Sequence, residues 1–470
     1  MINNELKYFL FFLILVISLK YLTFNLSYHW DESLYVYYGK WFSIHGLFSI
    51  PPHHYGHVPM FSWILAGFYV IFGESVFITH FIVALFSFFS IYFTYLIGKF
   101  LFNKNVGIIA SLFTFFSPIF FAISGQALID VSLVAFTMMT LYFGLKKQKI
   151  LYLIFASFLV LTKEPGFLAI IALAFYQLIK KEKIQNILFF LLPLIVLFSW
   201  LNWYKLQIGI YGRGWENGLN EFVSFTFLAE KCISILYQIF IWNYNWILTI
   251  FLILYFKFEK KITPLIIMSF FYIALFSYGP LLPRYILPIY PIFFIISSKT
   301  LEHFGNKKFF ISALIIILFI SCYRWNWGLK GFFQDPVFHS TIFYPKTITS
   351  VKNGEISLDY IDIVKLEKSA FDFIFTYYKN STITAINPFI LPENIGILDV
   401  GYGQWIKNNI TVLYPINEEN INKSNLVVVE SYSNFYDDNK DKFSNIFSKL
   451  ELLKKFENNG KFLIIYKGGK

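Results

Sequence analysis

The adjacent acids Asp31 and Glu32 are the residues of this chain whose position is hardest to explain without chemistry. They lie in Tyr28-His29-Trp30-Asp31-Glu32-Ser33, directly after the apolar run 6–24. Ionisable groups beside a membrane span tend to face a protein interior or a wet cavity and to carry function. A pair of solvated loop acids just beyond a helix end is the simpler alternative.

Further polar side chains occur near the predicted outer ends of later apolar runs. Loops on one face of a helical bundle converge on one cavity, and acids mixed with cations there suit an anionic substrate and a proton to be removed. The full set is Asp31, Glu32, His53, His54, His57, Gln126, Asp130, Lys163, Glu164, Arg213, Glu216 and Arg284.

Several of these residues also have structural explanations. Lys163 with Glu164 could form a polar turn before Pro165, and Arg284 could mark a span end and extend its side chain to the interface. Asp130 within an apolar run is costly unless paired, so a structural pair with Lys163 competes with a role in the cavity. His53 and His54 lack a nearby third ligand and make a poor metal site.

The composition identifies a membrane protein. Of the 470 residues, 57% are hydrophobic, 22% are aromatic and only 14% are charged, whereas a soluble domain is about 25% charged. The formal net charge of +11 is better explained by lysines on cytoplasmic loops than by nucleic-acid binding. Cys232 and Cys322 provide neither a disulfide framework nor metal-ligand spacing.

Apolar runs predict about eleven spans, at about 20 residues per bilayer crossing. The first apolar run is predicted to be a membrane span rather than a cleavable signal peptide, because no small-residue cleavage site follows it. The shorter runs between 105 and 181 are the ones that could be broken helices. The predicted spans are 6–24, 75–102, 106–123, 127–145, 150–162, 165–181, 187–206, 240–258, 263–279, 284–300 and 308–325.

Lysine-rich loops set the predicted orientation. The clusters at 146–149, 180–183, 257–261 and 307–308 all fall on one side, which the positive-inside rule makes cytoplasmic. The N-terminus is then cytoplasmic, and the loop 25–74, the loop 207–239 and everything after Arg324 lie outside. We therefore expect an integral protein of the cell (plasma) membrane.

The outer loop 25–74 and the C-terminal part differ in character. In the loop, 33–44 and 59–72 predict two helices at the membrane surface, the second closed by Gly73. The predicted fold class is thus a multi-pass α-helical membrane domain, residues 1–325, followed by an extracytoplasmic α/β domain, residues 326–470. In that second domain, alternating patterns predict strands at 381–386, 411–414, 425–429 and 462–466, and helical periodicity predicts helices at 360–378 and 441–456.

Four sequence motifs resemble the C-fold glycosyltransferases, in particular the protein O-mannosyltransferases and the lipid A aminoarabinose transferases. The resemblance covers roughly residues 1–300 by span order and loop sizes. The motifs are Asp31-Glu32 with His57-Val58-Pro59-Met60-Phe61-Ser62-Trp63, then Gln126-Ala127-Leu128-Ile129-Asp130, Leu161-Thr162-Lys163, and Arg284-Tyr285-Ile286-Leu287-Pro288-Ile289-Tyr290-Pro291.

The resemblance implies an inverting transfer of a sugar from a polyprenyl-phosphate-linked donor to an acceptor hydroxyl on the outer face. Asp31 is then the expected general base, with Glu32 as second choice or support. His57, Lys163, Arg284 and, more weakly, Arg213 are expected to bind the lipid phosphate or donor, and Asp130 and Gln126 to support them. The implied partners are the lipid-linked donor, membrane lipids and an acceptor protein, lipid or glycan, with no nucleic acid.

Two positions depart from the family pattern. Val58 replaces the first proline of the usual Pro-Pro pair, and Gly56 stands where the aminoarabinose transferases place another carboxylate. Fewer acids remain to hold a divalent metal, so the sequence does not favour a metal-assisted mechanism and implies no certain cofactor.

Other functions predict other patterns. A secondary transporter would show internal repeats and interrupted helices near the midplane, whereas the polar residues here crowd the outer ends. A non-catalytic membrane protein whose outer domain binds a partner would tolerate substitution of Asp31. An oligosaccharyltransferase that moves a whole glycan would need a metal.

Overall fold

The computed structural model describes residues 4–28, 31–51, 58–209, 225–242, 244–278, 282–304, 307–322, 359–385, 411–413, 417–431, 446–458 and 461–470. Helices dominate the first 322 residues. In chain order the helices up to this point are α1 Asn4–Lys20, α2 Asp31–His45, α3 Met60–Phe72, α4 Val76–Leu101, α5 Lys104–Phe116, α6 Pro118–Ile123, α7 Ile129–Leu145, α8 Lys149–Val160, α9 Phe167–Ile179, α10 Ile184–Leu191, α11 Pro193–Ile208, α12 Phe225–Phe240, α13 Asn245–Tyr255, α14 Thr263–Tyr278, α15 Ile289–Thr300 and α16 Lys307–Cys322.

Local sequence signals explain where the central helices begin and end. The Ser75 side chain accepts a hydrogen bond from the Ile78 N–H and caps α4, and Asn103 caps α5 in the same way. Gly73 ends α3 at a φ of 79°, a conformation that glycine adopts without strain.

Helices α4 and α5 approach each other closely through two glycines. A Cβ added to Gly98 would lie 2.7 Å from the Gly107 Cα, which leaves no room for a side chain at the crossing. Small residues at such crossings let membrane helices pack backbone to backbone. This contact fixes the centre of the bundle against which α7 and α15 pack.

Four helices in the described part are long and apolar enough to cross a membrane, and the bent pair α12–α13 would make a fifth. They are Glu5–Thr23, Val76–Leu101, Ile184–Ile208 and Lys260–Tyr278, and six shorter apolar helices accompany them. The expected count of about eleven spans is therefore not confirmed. Several predicted spans are interrupted, for example at Pro118 between α5 and α6.

The two helices predicted in the first outer loop are present as α2 and α3. Their aromatic faces pack on each other: Tyr37, Tyr38 and Phe42 of α2 form one buried cluster with Ala66 of α3. The apolar face of α2 is thus covered by protein rather than left for a membrane surface alone.

One predicted outer loop contains a helix. The segment 207–239 is predicted as an outer loop between spans, and α12 occupies its second half and buries Ile235 together with Ser234 and Gln238. Glu230, Lys231 and Gln238 lower the apolar density of this segment, so a hydropathy pattern misses a helix that packs against α14.

The described C-terminal residues build a five-stranded sheet. Its order is β2-β1-β3-β5-β4, with β1 parallel to β2 and β3, and β5 antiparallel to β3 and β4. The elements are α17 Asp359–Tyr377, β1 Thr382–Ala385, β2 Thr411–Leu413, α18 Glu418–Lys423, β3 Leu426–Glu430, β4 Leu452–Asn458 and β5 Lys461–Lys467.

The four predicted strands and the helix at 360–378 are confirmed, but the helix expected at 441–456 is wrong for its second half. Leu452, Leu453 and Phe456 have a spacing that suits a helix, yet they lie in β4, an edge strand paired with β5. The domain boundary at 326 stays a prediction, since 323–358 lie outside the described residues.

Helix α17 contacts both parts of the molecule. Ile363, Leu366 and Ile374 pack on the sheet, whereas Tyr360 joins the core of the helical bundle. A Cβ added to Gly125 would lie 2.5 Å from the Tyr360 hydroxyl oxygen, so this glycine makes room for the contact.

Candidate active site

Asp31 and Arg284 form an ion pair between two segments far apart in sequence. Asp31 is the first residue of α2, where the helix dipole favours a carboxylate, and Arg284 lies on the short 3₁₀ helix Pro283–Ile286 before α15. The Arg284 Nη2 lies 2.6 Å from the Asp31 Oδ2. The Asp31 side chain is 43% exposed and that of Arg284 is 13% exposed, so the acid is the open member of the pair.

Asp130 extends this pair into a chain of four charges. It lies in the first turn of α7, and its Oδ1 accepts a 2.6 Å hydrogen bond from the Lys163 Nζ, while its Oδ2 lies 3.6 Å from the Arg284 Nε. The order Asp31–Arg284–Asp130–Lys163 alternates acid and base. Because the charges balance, Asp130 and Lys163 can be buried without an uncompensated charge.

The ring of Tyr285 covers the cations of this chain. The Lys163 Nζ lies 4.0 Å from the ring centroid, and the Arg284 Cζ lies 5.9 Å from it. Both distances fall in the range of cation–π attraction. The aromatic face holds both cations in place while leaving their N–H groups to oxygen acceptors.

Glu32 points away from the four charges into the protein. It is 1% exposed; its Oε2 accepts a 2.7 Å hydrogen bond from the Ala127 N–H and lies 3.3 Å from the His80 Nε2. His80 is a buried residue of α4. Neighbours in sequence, Asp31 and Glu32 thus have different environments: one is open and ion-paired, the other is buried and anchored.

Tyr35 lies one turn after Asp31 on α2 and is buried. Burial raises the pKa of its hydroxyl well above the usual value, and the negative charges of Asp31 and Asp130 raise it further. Tyr35 therefore stays protonated beside both acids.

Of the other predicted site residues, the structure describes Gln126. Gln126 is buried next to Ala127, and its Nε2 has no hydrogen-bond partner within the described residues. His57 and Arg213 lie outside the described residues. Among the described residues no group of three or more His, Cys, Asp or Glu side chains is placed to hold a metal ion.

These contacts bear on the structural explanations given for Asp130 and the two cations. The expected structural pair of Asp130 with Lys163 is present, and Arg284 pairs with Asp31. A role of these residues in a site stays a prediction. Sequence reasoning missed His80 and Ala127. His80 could have been found as a histidine inside the apolar run of α4. Ala127 donates through its backbone N–H, and such a donor leaves no signal in the sequence.

Residues 56–204 match the family model of the dolichyl-phosphate-mannose-protein mannosyltransferases. The resemblance to the C-fold glycosyltransferases is confirmed. No curated protein matches the chain by sequence.

Two solved structures share the fold over the whole chain. The crystal structure of ArnT from Cupriavidus metallidurans bound to undecaprenyl phosphate has a TM-score of 0.59 at 12% identity and covers 98% of this chain and 98% of its own. The apo structure of the same ArnT has a TM-score of 0.57 at 12% identity with the same coverage. The family model matches about a third of the chain, and the two solved structures show that the chain has the fold of this ArnT.

Proposed function

We propose that this chain is an inverting glycosyltransferase that moves a sugar from a polyprenyl-phosphate-linked donor to an acceptor hydroxyl on the outer face of the cell membrane. The observation that carries the proposal is the open carboxylate of Asp31 held by Arg284 in an alternating charge chain. The ArnT structure solved with undecaprenyl phosphate supports a lipid phosphate as the donor's leaving group.

Asp31 acts as the general base. In the transfer, the acceptor oxygen bonds to the anomeric carbon while the bond from that carbon to the phosphate oxygen breaks, and the acceptor proton passes to Asp31. The Oδ1 of Asp31 accepts no hydrogen bond within the described residues, so it can meet the acceptor hydroxyl while Oδ2 holds Arg284.

Arg284 and Lys163 stabilise the phosphate that leaves. A guanidinium offers a planar set of donors that suits two phosphate oxygens, and Lys163 adds a point charge beneath the same Tyr285 ring. When the donor phosphate binds, Arg284 exchanges Asp31 for phosphate oxygens. The donor itself then releases the base, which couples donor binding to the activation of Asp31.

Glu32 acts through position rather than through proton transfer. Its contacts with Ala127 and His80 connect the start of α2 to the turn before α7 and to α4. Asp31 lies at the start of α2, and Asp130 lies in the first turn of α7. His57 and Arg213 remain further candidates for the donor site, and Gln126 and Asp130 are supporting residues. The extracytoplasmic C-terminal domain faces the acceptor, which is a protein, a lipid or a glycan.

Transfer in proteoliposomes tests the proposal. We expect Asp31→Asn to lower transfer from a radiolabelled polyprenyl-phosphate sugar by about 10²- to 10⁴-fold, the usual contribution of a general base. Mannose and aminoarabinose donors are the two sugars to try, since they belong to the families that the chain resembles.

Glu74→Gln is the matched control. Glu74 lies in the same predicted outer loop and pairs with Lys40 at 2.9 Å, so the change removes one acid and one ion pair without touching the charge chain. Its transfer rate should stay within about twofold of the unsubstituted protein. Full transfer by a folded Asp31→Asn variant would remove Asp31 from the role of base.

A further inference from the structure

A polar cavity lies at the ends of α7 and α8 that are opposite the candidate active site. Asp130 lies at the start of α7 and Lys147 follows its end. The 17 residues of this helix span about 26 Å. On α8, Lys149 is the first residue and Lys163 follows the end of the helix, so these two lysines also lie at opposite ends. The cavity has a volume of about 180 Å³ and lies between α7, α8, α9 and α10.

The cavity wall combines a lysine with a buried amide. Lys149 lines it, with its Nζ 5.4 Å from the Phe189 ring centroid. Gln177 of α9 lines it too and is 5% exposed. A side-chain amide that lines a cavity can donate a hydrogen bond to a ligand bound there.

The acid on this wall is already compensated. Glu182 accepts hydrogen bonds from the Lys147 Nζ at 3.0 Å and from the Asn186 Nδ2 at 3.1 Å. These hydrogen bonds, that from Lys147 first, lower the pKa of Glu182 and keep it as a paired carboxylate. The two loops 146–149 and 180–183 otherwise carry six lysines, so the site attracts anions.

The surroundings of the cavity select a lipid. Ile150 and Ile154 of α8 and Ile184 and Leu188 of α10 are exposed beside it, and an apolar surface of this kind faces acyl chains. The walls are fixed, because the Tyr152 hydroxyl donates a 2.7 Å hydrogen bond to the Phe190 carbonyl across the α8–α10 contact. The positive-inside rule alone would explain the lysines on these loops, but it would not explain why Gln177 lines the cavity.

We propose that this cavity binds the phosphate headgroup of an anionic phospholipid on the cytoplasmic side, with Lys149 and Gln177 as its donors. Basic pockets between membrane helices on that side recognise such headgroups. The site is separate from the transfer reaction, so it stands or falls without the proposed activity.

Binding to the purified full-length protein in neutral detergent tests the site. The probes are phosphatidylglycerol and phosphatidylcholine with identical acyl chains, and the readout is the apparent Kd from native mass spectrometry. We expect phosphatidylglycerol to bind at least about fivefold more tightly, the contribution of about one lysine near a lipid phosphate. Lys149→Gln and Gln177→Leu should each remove most of this preference.

The control is Lys260→Gln, which removes another exposed lysine, from a different predicted cytoplasmic loop outside the cavity. Its preference for phosphatidylglycerol should not change. An equal loss in this control, or no loss in Lys149→Gln and Gln177→Leu, would overturn the site. Displacement of phosphatidylglycerol by an equal concentration of inorganic phosphate would show a free-phosphate site instead of a lipid site.

Discussion

Neutralising Asp130 should destabilise the protein more than removal of any exposed acid. Asp130→Asn keeps the shape of the side chain but leaves Lys163 buried without its counter-ion; the two side chains are 3% and 10% exposed. Breaking a buried ion pair on one side costs about 3–5 kcal/mol. Asparagine keeps one oxygen acceptor for Lys163, so we expect the lower end, about 3 kcal/mol, which lowers the folding equilibrium constant about 100-fold.

The comparison that isolates burial is Glu419→Gln. Glu419 pairs with Lys423 at 2.5 Å, a distance similar to that of the buried pair, but both side chains are more than 60% exposed. Exposed pairs one turn apart contribute about 0.5 kcal/mol or less. The assay is denaturant-induced unfolding in mixed micelles, under conditions where the protein refolds.

The double variant Asp130→Asn with Lys163→Met decides the physical cause. Methionine replaces the lysine stem without its charge, so most of the lost stability should return, while Asp31 still pairs with Arg284. A cost below about 1 kcal/mol for Asp130→Asn, or no recovery in the double variant, would refute the account of a buried, mutually compensated pair.

Three further predictions concern the anchored acid, the guanidinium and the outer contact. Glu32→Gln and His80→Phe should each lower the transfer rate constant about tenfold or more with little change in the KM for donor, because both misplace Asp31 rather than remove it; a change confined to KM would contradict this positioning role. Arg284→Lys should raise the KM for the lipid-linked donor at least about tenfold, because a point charge replaces a two-pronged donor; unchanged donor dependence would remove Arg284 from the phosphate site. Gly125→Ala should lower the unfolding temperature, because the new Cβ would meet the Tyr360 hydroxyl at 2.5 Å, and Gly125→Ala combined with Tyr360→Phe should recover it.

The sequence predicted the site best where charge was unusual for its surroundings. Asp31, Asp130, Lys163 and Arg284 each stand out as ionisable residues beside apolar runs, and the structure brings these four together. Their pairing could not be read from sequence, because Asp31 and Arg284 are 253 positions apart and meet only through helix packing.

The fold was predictable where one local pattern dominates. The sequence patterns at 425–429 and 462–466 predicted β3 and β5, Gly73 predicted the end of α3, and the apolar run 75–102 predicted α4. Helix α12 was missed because its polar residues are buried by neighbouring helices, and β4 because pairing with β5 decided between two periodicities. In both cases tertiary contacts outweighed the local pattern.

The hydrogen bond from Ala127 to Glu32 has a consequence for genetic studies of this protein. Its donor is a backbone N–H, which every residue except proline supplies, while Ala127 itself is fully buried. A substitution library should therefore accept glycine and serine at position 127 and reject almost every change at position 32. A map of mutational tolerance would therefore mark Glu32 as sensitive but not Ala127. Ala127→Pro is the substitution that would reveal the role of Ala127, because proline lacks the N–H donor.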